Sequence, residues 1–390
     1  MQQIWKLLAL INHPIRNCFL AVTSAVMLAS CGGGGGGVPP WIGTKQMGVA
    51  GGDTFGDSVA TDANGNVYVA GSTRGGLDGN TLTGTKDFFV TKYNSSGVKQ
   101  YTRQLGAAGQ DTSGYSVATD ASGNVYVAGD TLGGLDGNTL TGTYDFFVTK
   151  YDSSGVKQYT RQMGVAGRNT SGYSVATDAS GNVYVAGETT GSLDGNTLTG
   201  TWDFFVTKYN SSGVKQYTRQ MGVAGKNTSG WSVATDGSGN VYVAGSTDGG
   251  LDGNTLTGTY DFFVTKYDSS GVKQYTRQLG VAGQFTSGWS VATDASGNVY
   301  VAGYTNGGLD GNTLIGTRDF FVTKYDSSGV KQYTRQLGVA GQDTDGYYVA
   351  TDANGNVYVA GETAGGLDGN TLTGYTDSFV TKYNSSGVKQ

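Results

Sequence analysis

The string Ser-Val-Ala-Thr-Asp begins at Ser58, Ser116, Ser174, Ser232 and Ser290, and returns as Tyr-Val-Ala-Thr-Asp at Tyr348, always 58 residues further on. A second string, Asp-Phe-Phe-Val-Thr-Lys-Tyr, begins at Asp87, Asp145, Asp203, Asp261 and Asp319, with Asp377-Ser378-Phe379 opening its last copy. A period of this length, kept six times, means one supersecondary unit stacked on copies of itself, because a single unit cannot bury its own apolar face.

Four short strands are read in each period. In the first copy they are about 58–61, 66–71, 88–93 and 98–105. Asp62-Ala63-Asn64-Gly65 joins the first two, and Asn94-Ser95-Ser96-Gly97 joins the last two. Asp and Asn accept bonds from turn amides, and glycine takes the positive φ that such turns need. The 68 glycines against 3 prolines fit a chain built from tight turns, and Val, Thr and Tyr fill the runs between them. Four antiparallel strands repeated six times specify an all-β fold, a six-bladed β-propeller of 58-residue blades. Trp41-Ile42-Gly43-Thr44-Lys45-Gln46-Met47-Gly48 aligns one period ahead of Lys99 to Gly106, while the last copy stops at Gln390. The expectation is that this N-terminal segment completes the sixth blade and closes the ring. A β-solenoid or a fragment of a longer array stays open as an alternative, but neither accounts for such complementary ends.

Residues 1–30 differ in kind. They carry Lys6 and Arg16, no acid, and an apolar run from Cys18 to Leu28, the pattern of a secretory signal peptide. Leu28-Ala29-Ser30-Cys31 resembles the lipobox of bacterial lipoproteins, which implies cleavage before Cys31 and lipidation of that cysteine. Six glycines, Gly32 to Gly37, and Val38-Pro39-Pro40 make residues 31–40 a tether to a propeller over 41–390. By similarity to Gram-negative lipoproteins, Gly32 after the cysteine implies the outer membrane. The expected partners are therefore the membrane, through the Cys31 lipid, and a glycan or envelope protein.

Processing removes the sole histidine, His13, and Cys18. Ser-His-Asp and Cys-His catalysis and Cys/His zinc sites are excluded from the mature chain. The 25 basic and 30 acidic residues become 23 and 30 once Lys6 and Arg16 are lost, a net charge of −7 that argues against nucleic acid as partner.

The strings Gly-Asn-Val-Tyr-Val-Ala-Gly-Ser-Thr, Asp-Phe-Phe-Val-Thr-Lys-Tyr and Gly-Val-Lys-Gln-Tyr resemble the bacterial SBBP β-propeller repeat over residues 41 to 390, and the first hairpin is similar to NHL repeats. The resemblance implies an envelope or secreted propeller without an assigned reaction. Some NHL-type relatives are zinc lyases, using histidine ligands that the mature chain would lack.

Differences between copies concentrate where strands connect on one face of the disc. One position reads Asp57, Tyr115, Tyr173, Trp231, Trp289 and Tyr347, and another reads Lys86, Tyr144, Trp202, Tyr260, Arg318 and Thr376. The eight aromatics Tyr115, Tyr173, Trp231, Trp289, Tyr347, Tyr144, Trp202 and Tyr260 are candidate ligand-binding residues, suited to stacking on sugar rings or anchoring a protein. The first five either ring the channel mouth or pack against the neighbouring blade, and loop drift is a third source of such variation. Asp78 and Asp87, with their equivalents, are weak candidates for calcium, short of the acids a calcium loop brings. No other cofactor is called for. Asp130 and Glu188 form a candidate glycosidase pair, and with nothing else catalytic in view the expectation is a non-catalytic binding module, with a structural or docking scaffold as the competing reading.

Overall fold

The computed structural model describes residues 41–390 and the backbone of Val22–Thr23. Six antiparallel sheets stand side by side as the blades of a β-propeller. In blade 1 the strands, from the channel outward, are Thr54–Thr61, Val67–Thr73, Asp87–Tyr93 and Lys99–Leu105. The same four recur in blades 2 to 5, the last of these running from Thr286–Thr293 to Lys331–Leu337. Val22–Thr23 pairs in parallel with the inner strand of blade 1, Val22 opposite Val59.

The turns form for the reasons the sequence gives. Asp62 Oδ1 accepts the amides of Asn64 and Asn66 at 2.9 and 3.0 Å, and Oδ2 accepts the Tyr68 hydroxyl at 2.9 Å. Gly65 takes the left-handed turn position at φ 74°.

Blades hold each other through one repeated contact set. Phe88 stacks on Phe147 of blade 2 with centroids 4.9 Å apart, the Val117 amide donates to Ser58 Oγ at 3.0 Å, and Lys92 Nζ donates to the Ser153 carbonyl at 2.8 Å. Tyr68, Phe88 and Val90 of one blade bury against Val117, Val127 and Phe147 of the next. Equivalent contacts recur up to blade 6, where Phe320 stacks on Phe379 and the Val349 amide bonds Ser290.

The sixth blade departs from the expected closure. Its sheet has three strands, Thr344–Thr351, Val357–Thr363 and Asp377–Tyr383, and Trp41–Gly48 is not paired with it. That segment docks on blade 1 instead. The Trp41 ring lies 5.7 Å from Tyr93, and the Thr91 hydroxyl meets Met47 Sδ at 3.5 Å. The physical reason lies in the side chains. Blade 6 has Ser378 where other blades put the stacking phenylalanine and Tyr348 where they put the amide-capping serine, so the ring stack and the serine cap that join the other blades cannot be formed by these side chains at this seam. Val380 is accordingly 70% exposed, while Val90, Val148, Val206, Val264 and Val322 are 0%.

Candidate functional site

The inner strands surround a channel of about 2060 Å³ that opens among the variable loops. Its lining includes all eight candidate aromatics: Tyr115, Tyr173, Trp231, Trp289 and Tyr347 as an inner ring, and Tyr144, Trp202 and Tyr260 outside it.

A β-bulge aims the inner ring. Gly172 pairs with Gly187 and Ser174 with Ala186, so Tyr173 stands unpaired between them. Such a bulge re-aims the side chain of its extra residue. Gly187 is required opposite, because a Cβ there would lie 1.8 Å from the Ser171 carbonyl oxygen. The inner strand thus begins at Thr170, four residues before the stretch read from sequence, and the aromatic sits inside the strand at its bulge.

Both readings of the inner ring hold in part. The rings are half-buried and pack on one another: Tyr173 on Trp231 at 5.0 Å, Trp231 on Trp289 at 5.4 Å, and Trp289 edge-on to Tyr347 at 6.0 Å. Four of the five bond the residue fifteen positions later, while Trp289 stacks on Tyr304 at 6.3 Å and its indole N–H has no hydrogen-bond partner among the described residues. Tyr115 donates to Asp130 at 3.1 Å, Tyr173 to Glu188 at 2.8 Å, Tyr347 to Glu362 at 2.7 Å, and the Trp231 indole N–H to Ser246 Oγ at 3.2 Å. In these pairs each tyrosine meets an acid, and Trp231 meets a hydroxyl. Asp130 and Glu188 therefore stand behind the belt as acceptors, Asp130 also taking the Ser171 hydroxyl at 2.9 Å. Burial pushes the Glu188 carboxyl up, with Ser229 and Tyr173 partly offsetting it, and burial beside Glu188 raises the Tyr173 phenol well above its ordinary value.

The outer aromatics follow a second rule. Through their backbones Tyr144 pairs with Asn169, Trp202 with Asn227, and Tyr260 with Phe285. Where the position is basic, its partner is acidic: Lys86 is 3.8 Å from Asp111, and Arg318 is 2.7 Å from Asp343. Sequence reasoning missed Phe285 and Tyr304 as belt members. Phe285 stacks between Tyr260 at 5.1 Å and Tyr304 at 5.7 Å, and the Arg318 guanidinium covers Tyr304 at 5.0 Å. The signal was present, since blade 5 alone holds an aromatic at those two otherwise polar positions.

The calcium candidates are engaged in hydrogen bonds. Asp87, fully buried, accepts the Thr83 and Gly84 amides at 2.8 and 2.7 Å and Gln104 Nε2 at 2.9 Å. Asp78 takes Lys99 Nζ and the Thr102 hydroxyl. Among the described residues no group of three or more Asp, Glu, His or Cys side chains is placed to hold a metal. Cys31 lies outside the described residues.

The geometry defines a β-propeller with an aromatic-rimmed channel on its variable face. Six stretches, residues 42–78, 100–136, 158–194, 216–252, 274–310 and 332–368, match the SBBP β-propeller repeat. The chain belongs to the SBBP β-propeller repeat family. It is similar to the regulatory protein FlaEY of Caulobacter vibrioides, 27% identical over 322 residues, which are 73% of this chain and 31% of that protein. The chain thus spans about a third of the length of that relative. Among solved structures, an ulvan lyase of a polysaccharide lyase family is 14% identical with a TM-score of 0.45, covering 85% of this chain and 81% of that one. A Bacteroides caccae protein of unknown function is 12% identical with a TM-score of 0.37, covering 77% of this chain and 90% of that one.

Proposed function

We propose that this propeller is a secreted, non-catalytic binding module, lipid-anchored to the bacterial outer membrane through Cys31, that captures a glycan in the mouth of its channel. The observation that carries the reading is the run of half-exposed aromatic rings along the channel lining from Tyr144 and Trp202 to Tyr260. Flat rings with a polar edge match the alternating apolar and hydroxylated faces of sugars. Asp130 and Glu188 support binding rather than hydrolysis, because hydroxyl donors on the belt itself occupy them. The test is binding of the full chain to an array of bacterial and environmental polysaccharides, beside a variant with Tyr144, Trp202 and Tyr260 all changed to alanine. Binding by the parent and its loss in a folded variant supports the proposal. No binding by either chain leaves a structural or protein-docking propeller.

A further inference from the structure

The basic residues repeated in every blade are spent on the scaffold: Lys92 and Arg103 donate to carbonyls of the next blade, and Lys99 pairs with Asp78. The variable face adds five more, Arg74, Lys86, Arg168, Lys226 and Arg318. Lys86 and Arg318 are answered by Asp111 and Asp343. At Arg168 and Lys226 the next residue, aspartate in blades 1, 2 and 6, is Asn169 or Asn227. The cation therefore appears in the two blades where asparagine replaces the acid, and in both the residue paired by backbone with that asparagine is an aromatic, Tyr144 or Trp202.

Blade 3 takes this furthest. Arg168 is exposed and lines a second cavity of about 360 Å³ with Asn169, Thr190, Leu198 and Thr201, and none of its lining residues is acidic. The cavity shares Asn169 and Thr201 with the channel mouth, whose lining also includes Trp202, the residue after Thr201. At the blade 4 equivalent, Asp248 lies beside Asn227, accepting its amide at 2.6 Å, and returns negative charge to the loop.

We infer that the channel mouth continues over blade 3 as a subsite for an acid-bearing sugar, its ring against Trp202 and its carboxylate or sulfate on Arg168. This rests on the glycan-binding reading and names the class of glycan. Arginine suits the role, since its planar fork matches both anions. The chain's overall negative charge does not oppose it, because the acids nearest the belt are turned inward to Tyr115, Tyr173 and Tyr347.

The experiment compares the full chain with Arg168→Gln, the residue blades 2, 5 and 6 carry at this place, so that folding is retained. Polygalacturonate, heparin and the neutral polymers dextran and galactan are titrated at low and high salt. The expected result is preference for polygalacturonate or heparin, the stronger of the two telling carboxylate from sulfate. Arg168→Gln should lose about tenfold for that polymer and leave neutral binding unchanged. Equal binding of neutral and acidic polymers, or an unaffected Arg168→Gln chain, overturns the subsite while glycan binding stands. Absence of binding to every polymer overturns the glycan reading and the subsite together.

Discussion

Arg318 Nη2 lies 3.1 Å from Asp345 Oδ2, yet Asp345 is buried with its other oxygen, Oδ1, lacking a hydrogen-bond partner. Burial outweighs the cation, with Asp343 and Glu362 adding to it, and pushes the carboxyl up to about 6. Blades 2 to 5 have serine at this position, so the charge belongs to blade 6 alone.

A carboxyl raised in the folded state binds its proton where the unfolded chain has lost it. Its stabilising contribution is full below the unfolded value near 4 and is lost as the pH rises through about 6. Asp345→Asn removes this dependence. Urea unfolding of the two chains from pH 4 to 7 should show the variant gaining about 3 kcal/mol on the parent across that window. A constant difference would mean that Asp345 does not titrate there.

The seam at blade 6 makes two chemically identical substitutions unequal. Val206→Ala deletes methyls from a fully buried site and should cost about 2 kcal/mol. Val380→Ala, at its equivalent in blade 6, should cost less than about 0.5 kcal/mol. Amides of Asp377–Tyr383, which have no fourth strand beside them among the described residues, should exchange with deuterium faster than those of Asp203–Tyr209. Equal costs and equal exchange would show this face covered in solution.

The blade and its turns could be read from sequence because their causes are local. Asp62 and Gly65 shape their hairpin whatever surrounds it, and the 58-residue period multiplies each signal six times. The inner strand was read short because its bulge inserts Tyr173 out of register and breaks the alternation that marks a strand. The likeness of Trp41–Gly48 to Lys99–Gly106 names the kind of strand but not its blade. In the structure the segment meets Tyr93 and Thr91 of blade 1, residues that every blade repeats, so the sequence of the segment and its partners does not name the blade. The site's aromatics were legible as variable positions. Their pairing rules were not, because an acid fifteen residues after a tyrosine has meaning only once the two strands lie side by side.

Asp203 separates a structural carboxylate from a metal ligand. It is buried and accepts the Thr199 and Gly200 amides at 2.8 and 2.7 Å and Gln220 Nε2 at 2.9 Å. Asp203→Ala leaves three donors unanswered and should destabilise the chain by about 3 kcal/mol. Millimolar calcium or excess chelator should move the melting temperature of the parent by less than about 1 °C, since an ion that binds only the folded state would raise it. A calcium-dependent rise lost in Asp203→Ala would return the loop to the list of metal sites.

The correlation between ring and partner predicts a transplant. Tyr173 with Glu188 in blade 3 corresponds to Trp231 with Ser246 in blade 4, and the two blades are otherwise alike around the bulge. Glu188→Ser alone removes the acceptor of the Tyr173 hydroxyl, and Tyr173→Trp alone sets a larger ring against a buried carboxylate that has lost a donor. Each single change should cost about 1–3 kcal/mol. Made together they install a pair the fold already accommodates one blade away, and the double variant should be more stable than the singles predict by about 1 kcal/mol or more. Denaturant unfolding of the four chains closes the cycle. Additive costs would mean that the two positions vary independently and that the match of Tyr173 to Glu188 and of Trp231 to Ser246 carries no energy.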